Sequence, residues 1–119
     1  MYRVLIAEDE ERIAGLLNKG LRKYGFTAEI ARNGKEALKM VQSGEFDLLL
    51  LDLGLPDMDG MEVLQELQTL KQDLPVMILS ARADEQDIAA GFRQGAKEYV
   101  TKPFRFSDLL LKIAKLRSQ

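Results

Sequence analysis

Leu48-Leu49-Leu50-Leu51-Asp52-Leu53-Gly54-Leu55-Pro56-Asp57-Met58-Asp59-Gly60 is the stretch on which the fold turns. Four successive leucines leave no polar face, as expected of a strand buried on both sides. The run stops at an acidic residue, and Asp59 with Glu62 then reads as a capping box opening a helix. Residues 4–7 and 76–79 are nearly all apolar in the same way, whereas residues 28–31 and 98–101 mix polar with apolar residues, as edge strands do.

Helical patterns separate these five runs. Ile13, Leu17, Leu21 and Tyr24 line one face of the first. Asn33 with Glu36 reads as a capping box opening the second. The fourth, residues 84–94, has the thinnest apolar stripe, Ile88, Ala89 and Phe92, with Gly91 inside it and Gly95 as its C-cap. Leu109, Leu110, Ile113 and Leu116 stripe the fifth. Five strand-then-helix repeats predict an α/β domain, a doubly wound (βα)5 flavodoxin-like parallel sheet spanning residues 1–119. The three apolar strands belong in the middle and the mixed ones at the rims, which the strand order 2-1-3-4-5 satisfies. That order reverses between strands one and three, and ligands bind outside the carboxyl ends of the strands at such a point.

The chain has 119 residues, enough for one domain. With 46% hydrophobic and 30% charged residues it has material for a core without a structural metal. A net charge of -2 points to neither a nucleic-acid nor a membrane surface. There is no cysteine, so no disulfide framework and no thiolate metal site, and no apolar run of transmembrane length, so a cytoplasmic protein is expected. There is also no histidine, so this chain cannot itself carry a phosphohistidine.

The residues that follow the strands carry the chemistry. Strand one ends in Glu8-Asp9, strand three in Asp52, strand four in Ser80 and strand five in Thr101-Lys102. All face one rim of the sheet. Carboxylates brought together raise one another's pKa and cost stability, so a hard divalent cation is expected, and Mg2+ takes oxygen ligands. Counted as unit charges, three carboxylates, one Mg2+ and the Lys102 ammonium cancel. An incoming phosphoryl group would then be held by metal, ammonium and the Ser80 hydroxyl, with Asp52 as the nucleophile that becomes an acyl phosphate. Taken singly, each residue has a duller reading as a cap, a turn residue or a solvated charge. Four separate strand ends presenting what one reaction needs outweigh those readings.

Val4-Leu5-Ile6-Ala7-Glu8-Asp9-Glu10, the segment Asp52 to Gly60, Leu79-Ser80-Ala81-Arg82, Gly95-Ala96 and Tyr99-Val100-Thr101-Lys102-Pro103-Phe104 together resemble the receiver domain of a two-component response regulator. The resemblance covers essentially the whole chain. It implies that Asp9, Asp52 and the Gly54 backbone carbonyl bind Mg2+, with Glu8 acting through water. It implies that Asp52 is the phospho-acceptor, Ser80 the switch hydroxyl and Tyr99 the switch aromatic. Lys102 would contact the phosphoryl oxygens, and the Lys102–Pro103 peptide would be cis. The implied donor is a sensor histidine kinase or phosphotransfer protein, and the domain would catalyse only its own phosphorylation and dephosphorylation. The motifs are closest to the branch that usually carries a winged-helix DNA-binding domain and forms a homodimer through the fourth helix, fifth strand and fifth helix. Ile88 and Lys97 depart from the basic and acidic residues of that dimer face. Direct nucleic-acid or membrane binding by this domain is not expected.

Two other readings compete. A flavodoxin-like nucleotide-binding module would need a phosphate-cradling loop after strand one, where this chain has Glu8-Asp9-Glu10. An EF-hand would use Asp57, Asp59, Gly60 and Glu66, but its first ligand would be Leu55, which cannot coordinate calcium. No P-loop is present, so ATP is not the expected direct donor.

Overall fold

The computed structural model describes residues 1–70 and 73–118. Strands and helices alternate: β1 Arg3–Ala7, α1 Glu11–Lys23, β2 Thr27–Ala31, α2 Gly34–Ser43, β3 Leu48–Asp52, α3 Gly60–Thr69, β4 Val76–Ser80, α4 Glu85–Arg93, β5 Glu98–Thr101 and α5 Phe106–Arg117. The strands form one parallel sheet in the expected order, β2-β1-β3-β4-β5. Every residue of β3 and β4 is buried.

Because side chains alternate across a strand, each central strand feeds two apolar layers. Leu5, Leu49, Leu51 and Ile78 pack with Leu38, Val41, Val63 and Leu67 of α2 and α3, and Ile88 of α4 joins them. Val4, Ile6, Leu48, Leu50, Met77 and Leu79 pack on the other face with Leu17 and Leu21 of α1 and Leu109 and Ile113 of α5. The leucine run is therefore the seam between the two layers.

The helix ends refine the expectations. Asn33 Oδ1 accepts from the Glu36 N–H at 2.8 Å, which is one half of the predicted capping box. Asp59 instead accepts from the Met61 N–H at 2.9 Å, and the Glu62 N–H donates to the Asp59 carbonyl. Tyr24 is not on the buried stripe of α1. The helix closes at Lys23 with Gly25 at φ +88°, and the Phe26 N–H reaches back to the Leu21 carbonyl at 3.1 Å. Tyr24 is turned outward by that closure and stacks on Phe106. Gly95 terminates α4 as predicted, at φ +104°, with Ala96 N–H bonded to the Gly91 carbonyl.

The predicted stripe of α4 needs a larger correction. Ala89 and Phe92 are exposed, and Gly91 is the buried residue of the helix. A Cβ at position 91 would stand 2.8 Å from Ile78 Cδ1 and 3.0 Å from the Tyr99 ring. Gly91 is thus the contact itself: its missing side chain lets the α4 backbone lie against β4 and β5.

A second close approach fixes the start of α3. The Gly60 N–H donates to the Leu53 carbonyl at 2.9 Å, closing the loop after β3. A Cβ here would lie 2.7 Å from Leu53 Cα and 2.8 Å from the Asp52 carbonyl oxygen, which are backbone atoms that cannot step aside. Gly60→Ala is expected to lose about 1–3 kcal/mol of stability despite its better helix propensity. Urea denaturation checks this, and an unchanged midpoint would contradict the close approach.

Candidate functional site

The register of the sheet sets the site. Asp52 lies opposite Leu79, and Ser80 opposite Thr101, so the last residues of β3 and β4 and the residue after β5 share one rim. The Glu8 N–H donates to the Ala31 carbonyl, extending the β1–β2 ladder by one residue. This turns Glu8 inward, where it is only 1% exposed, and leaves Asp9 outside.

A buried carboxylate requires a partner. Lys102 supplies it from the far end of the chain: its Nζ lies 2.7 Å from Glu8 Oε1 and 3.4 Å from Asp52 Oδ1. Burial pushes the Glu8 carboxyl above its ordinary range, opposed by the Lys102 hydrogen bond. Burial pulls the Lys102 ammonium down, but the Glu8 hydrogen bond and the Asp52 charge outweigh it and raise Lys102 overall. Lys102 is therefore firmly cationic at neutral pH. Glu8 Oε2 accepts from the Glu10 N–H at 3.2 Å, and Asp52 Oδ1 accepts from the Gly54 N–H at 3.2 Å. Asp52 Oδ2 stands outside these contacts.

One oxygen each from Glu8, Asp9 and Asp52 lies within 4.8 Å of the others. Opposite ligands of an octahedral Mg2+ stand ~4.2 Å apart, so the cluster has the right scale for that ion with slight closure or a water between. The donors are all hard oxygens, which fits Mg2+ and does not suit a soft metal. Gly54 lies over the same carboxylate: a Cβ there would be 3.9 Å from both Asp52 oxygens. The exposed Asp9 is the carboxylate free to meet an ion directly, and Glu8 is the one already engaged.

Ser80 is buried, and its Oγ accepts from the Arg82 N–H at 3.0 Å. Tyr99 is buried, and its hydroxyl donates to the Arg82 carbonyl at 2.7 Å. The Arg82 guanidinium in turn lies 3.1 Å from Asp59 Oδ2. Both expected switch residues are thus tied to the backbone of one residue, Arg82, which an ion pair anchors to the start of α3. Sequence reasoning noted Arg82 only as part of a motif, because nothing in local spacing pairs it with Asp59. The Lys102–Pro103 peptide is cis, as the resemblance implies.

The sheet carries acidic residues after β1, where a nucleotide-binding module of this topology would need a phosphate-cradling loop. The sequence profile of the response regulator receiver domain matches residues 4–114, and the chain belongs to that family. It is similar to response regulator MprA of Mycobacterium ulcerans, 37% identical over 114 residues, which are 96% of this chain and 49% of that protein. It is also similar to transcriptional regulatory protein PcoR of Escherichia coli, 34% identical over 98% of this chain and 51% of that protein. The chain thus spans about half the length of these curated relatives. Among solved structures, response regulator protein TrrA of Thermotoga maritima, in complex with Mg(2+)-BeF, superposes with a TM-score of 0.87 at 37% identity, over 98% of this chain and 99% of that one. Among the described residues no helix is long and apolar enough to cross a membrane.

Asp9 shares the cluster with two other carboxylates. Asp9→Asn, which removes an exposed member without emptying a buried position, is expected to raise stability in excess chelator by up to about 1 kcal/mol. Denaturant unfolding of both proteins is the check; a variant no more stable than the parent would mean that repulsion from the other carboxylates does not reach Asp9.

Proposed function

We propose that Asp52 is the phospho-acceptor of this receiver domain, with Asp9, Asp52 and the Gly54 carbonyl as the direct Mg2+ ligands and Glu8 acting through water. The observation that carries the reading is the position of Asp52: one carboxylate oxygen is held by Lys102 and Gly54 while the other remains outside those contacts. Bound here, the ion would neutralise the acidic cluster and polarise the phosphoryl oxygens. The chain's own residues do the rest. An Asp52 oxygen attacks phosphorus, and the bond from phosphorus to the donor breaks. For a phosphohistidine that bond is P–N, and the leaving imidazole takes up a proton. The product is an acyl phosphate, and Lys102 turns its ammonium from Glu8 toward the new phosphoryl oxygens. Attack by water on phosphorus restores the Asp52 carboxylate, releasing inorganic phosphate.

These 119 residues hold no histidine, so the phosphoryl group comes from a phosphohistidine outside them or from a small-molecule donor. We assign the donor role to a sensor histidine kinase or phosphotransfer protein, with acetyl phosphate as the small-molecule substitute, acting in the cytoplasm. The phosphoryl group offers Ser80 a stronger, charge-assisted hydrogen bond than the one from Arg82. Ser80 leaves the Arg82 N–H, the Arg82 backbone loses one tether, and Tyr99 follows into the space. Phosphorylation thereby biases an existing equilibrium. The face built by α4, β5 and α5 is the output surface, and exposed Phe92 and Leu111 favour a homodimer there. Its usual charge pairs are absent: Ile88 packs against the core, and Glu98 is 3.2 Å from Lys112 of the same chain. The similarity to a transcriptional regulator of twice the length supports a winged-helix output domain in the whole protein, with DNA binding left to that domain.

With acetyl phosphate and Mg2+, intact mass should show one added phosphoryl group on the parent and none on Asp52→Asn. Excess chelator should slow the parent's reaction on the order of a hundredfold or more. A fully phosphorylated Asp52→Asn protein, or a reaction indifferent to chelator, sinks the assignment. Ser80→Ala should still accept the group, yet show less than about half of the parent's phosphorylation-dependent change in the α4–β5 amide signals. A response equal to the parent's would remove Ser80 from the switch.

A further inference from the structure

Asp57 takes no part in the acidic cluster, and its EF-hand spacing leads nowhere, yet it is among the most firmly held side chains of the loop after β3. Its Oδ1 accepts from the Gly34 N–H at 2.7 Å and its Oδ2 from the Lys35 N–H at 2.9 Å. These are the first two residues of α2. Asn33 satisfies the Glu36 N–H of the same turn, so most of the unpaired donors that open a helix are filled, two of them by a residue 23 and 22 positions away. The carboxylate also complements the positive end of the helix. The Lys35 and Gly34 N–H bonds hold its carboxyl below the ordinary range.

The neighbouring side chain reinforces the contact. Met58 lies so close over Gly34 that a Cβ there would meet Met58 Cγ at 2.3 Å and Sδ at 2.6 Å. Leu55 is buried in the core, and Pro56 restricts both its own φ and the conformation of Leu55. Gly60 closes the loop onto the Leu53 carbonyl. Between these anchors sits Gly54, exposed, with its N–H on Asp52. A glycine has no side chain to fix its own path, so the direction of its carbonyl follows from the docking of the residues after it.

We infer that Asp57 is a positioning residue for the Mg2+ site: by clamping the loop to the N-terminus of α2 it aims the Gly54 carbonyl and so sets metal affinity without touching the ion. This rests on the reading of Asp9, Asp52 and Gly54 as the cation ligands. The duller account is that Asp57 only caps α2, in which case its loss lowers stability and leaves metal binding alone.

The test is a Mg2+ titration of the unphosphorylated chain followed through backbone amide shifts, with thermal unfolding recorded alongside. Asp57→Ala removes the clamp from the loop side, and Gly34→Ala pushes Met58 away from the helix side. Each is expected to weaken Mg2+ binding about tenfold, the scale on which outer partners tune metal sites. Asp57→Asn, which keeps one acceptor oxygen, should recover part of the loss. In the metal-free state the Gly54 amide signal should already move in Asp57→Ala. Parent-like Mg2+ affinity in the folded Asp57→Ala and Gly34→Ala proteins, whatever their melting temperatures, overturns the inference alone. A parent that binds no Mg2+, or an Asp9→Ala variant that binds it undiminished, overturns the site reading and this inference with it.

Discussion

The ion pair between Glu8 and Lys102 is the constraint on which the rest of the rim depends. Glu8 is brought inside because β1 runs one residue further along β2 than the apolar run requires, and at 1% exposure its carboxylate could not stay there unpaired. Lys102, 94 residues away, meets it at 2.7 Å. Removing one partner of such a pair is far more damaging than the pair is stabilising, because it leaves a desolvated charge behind. The pair therefore contributes little net stability but fixes where β1 and β5 end relative to Asp52. The same ammonium lies 3.4 Å from Asp52, so one cation organises both the Glu8 and the Asp52 carboxylates.

The second organising feature is the division of labour among loops. The loop after β3 is anchored to α2 through Asp57 and to the loop after β4 through the Asp59–Arg82 pair. That pair is more than a third exposed on each side, and pairs of this kind are worth less than about 1 kcal/mol. Its place matters more than its strength, because Ser80 and Tyr99 both hang on the Arg82 backbone. A weak outer tie and two inner hydrogen bonds hold this arrangement, and under the proposed function an interaction at Asp52 would compete with them. Gly91 lets α4 lie against the Tyr99 ring, so the proposed movement of that ring would reach the helix directly.

Most of the fold was legible because its signals are local. Unbroken apolar runs such as residues 48–51 announce buried strands, and the polar residues that end them mark the rim where strand ends converge. The acidic cluster, Lys102 and Ser80 could be read from that placement alone. What escaped were features created by contact. Tyr24 falls on the helical spacing of α1, but the turn at Gly25 rotates it outward. Gly91 seemed a weakness of α4 and proved its closest contact, since periodicity counts side chains and cannot count the use of a missing one. Asp57 and Arg82 find partners 23 residues away in sequence, and no spacing rule joins a loop carboxylate to the start of a helix or a loop guanidinium to a cap.

The central claim is that chemistry at Asp52 is transmitted through Ser80 and Tyr99 to α4 and β5. Amide chemical-shift mapping with Mg2+ alone and with Mg2+ plus beryllofluoride, a phosphoryl mimic, tests it most directly. The account predicts that, beyond the rim itself, the mimic moves signals across residues 84–100 and leaves α1 and α2 largely unchanged. Changes concentrated in α1 and α2 that spare residues 84–100 would contradict it.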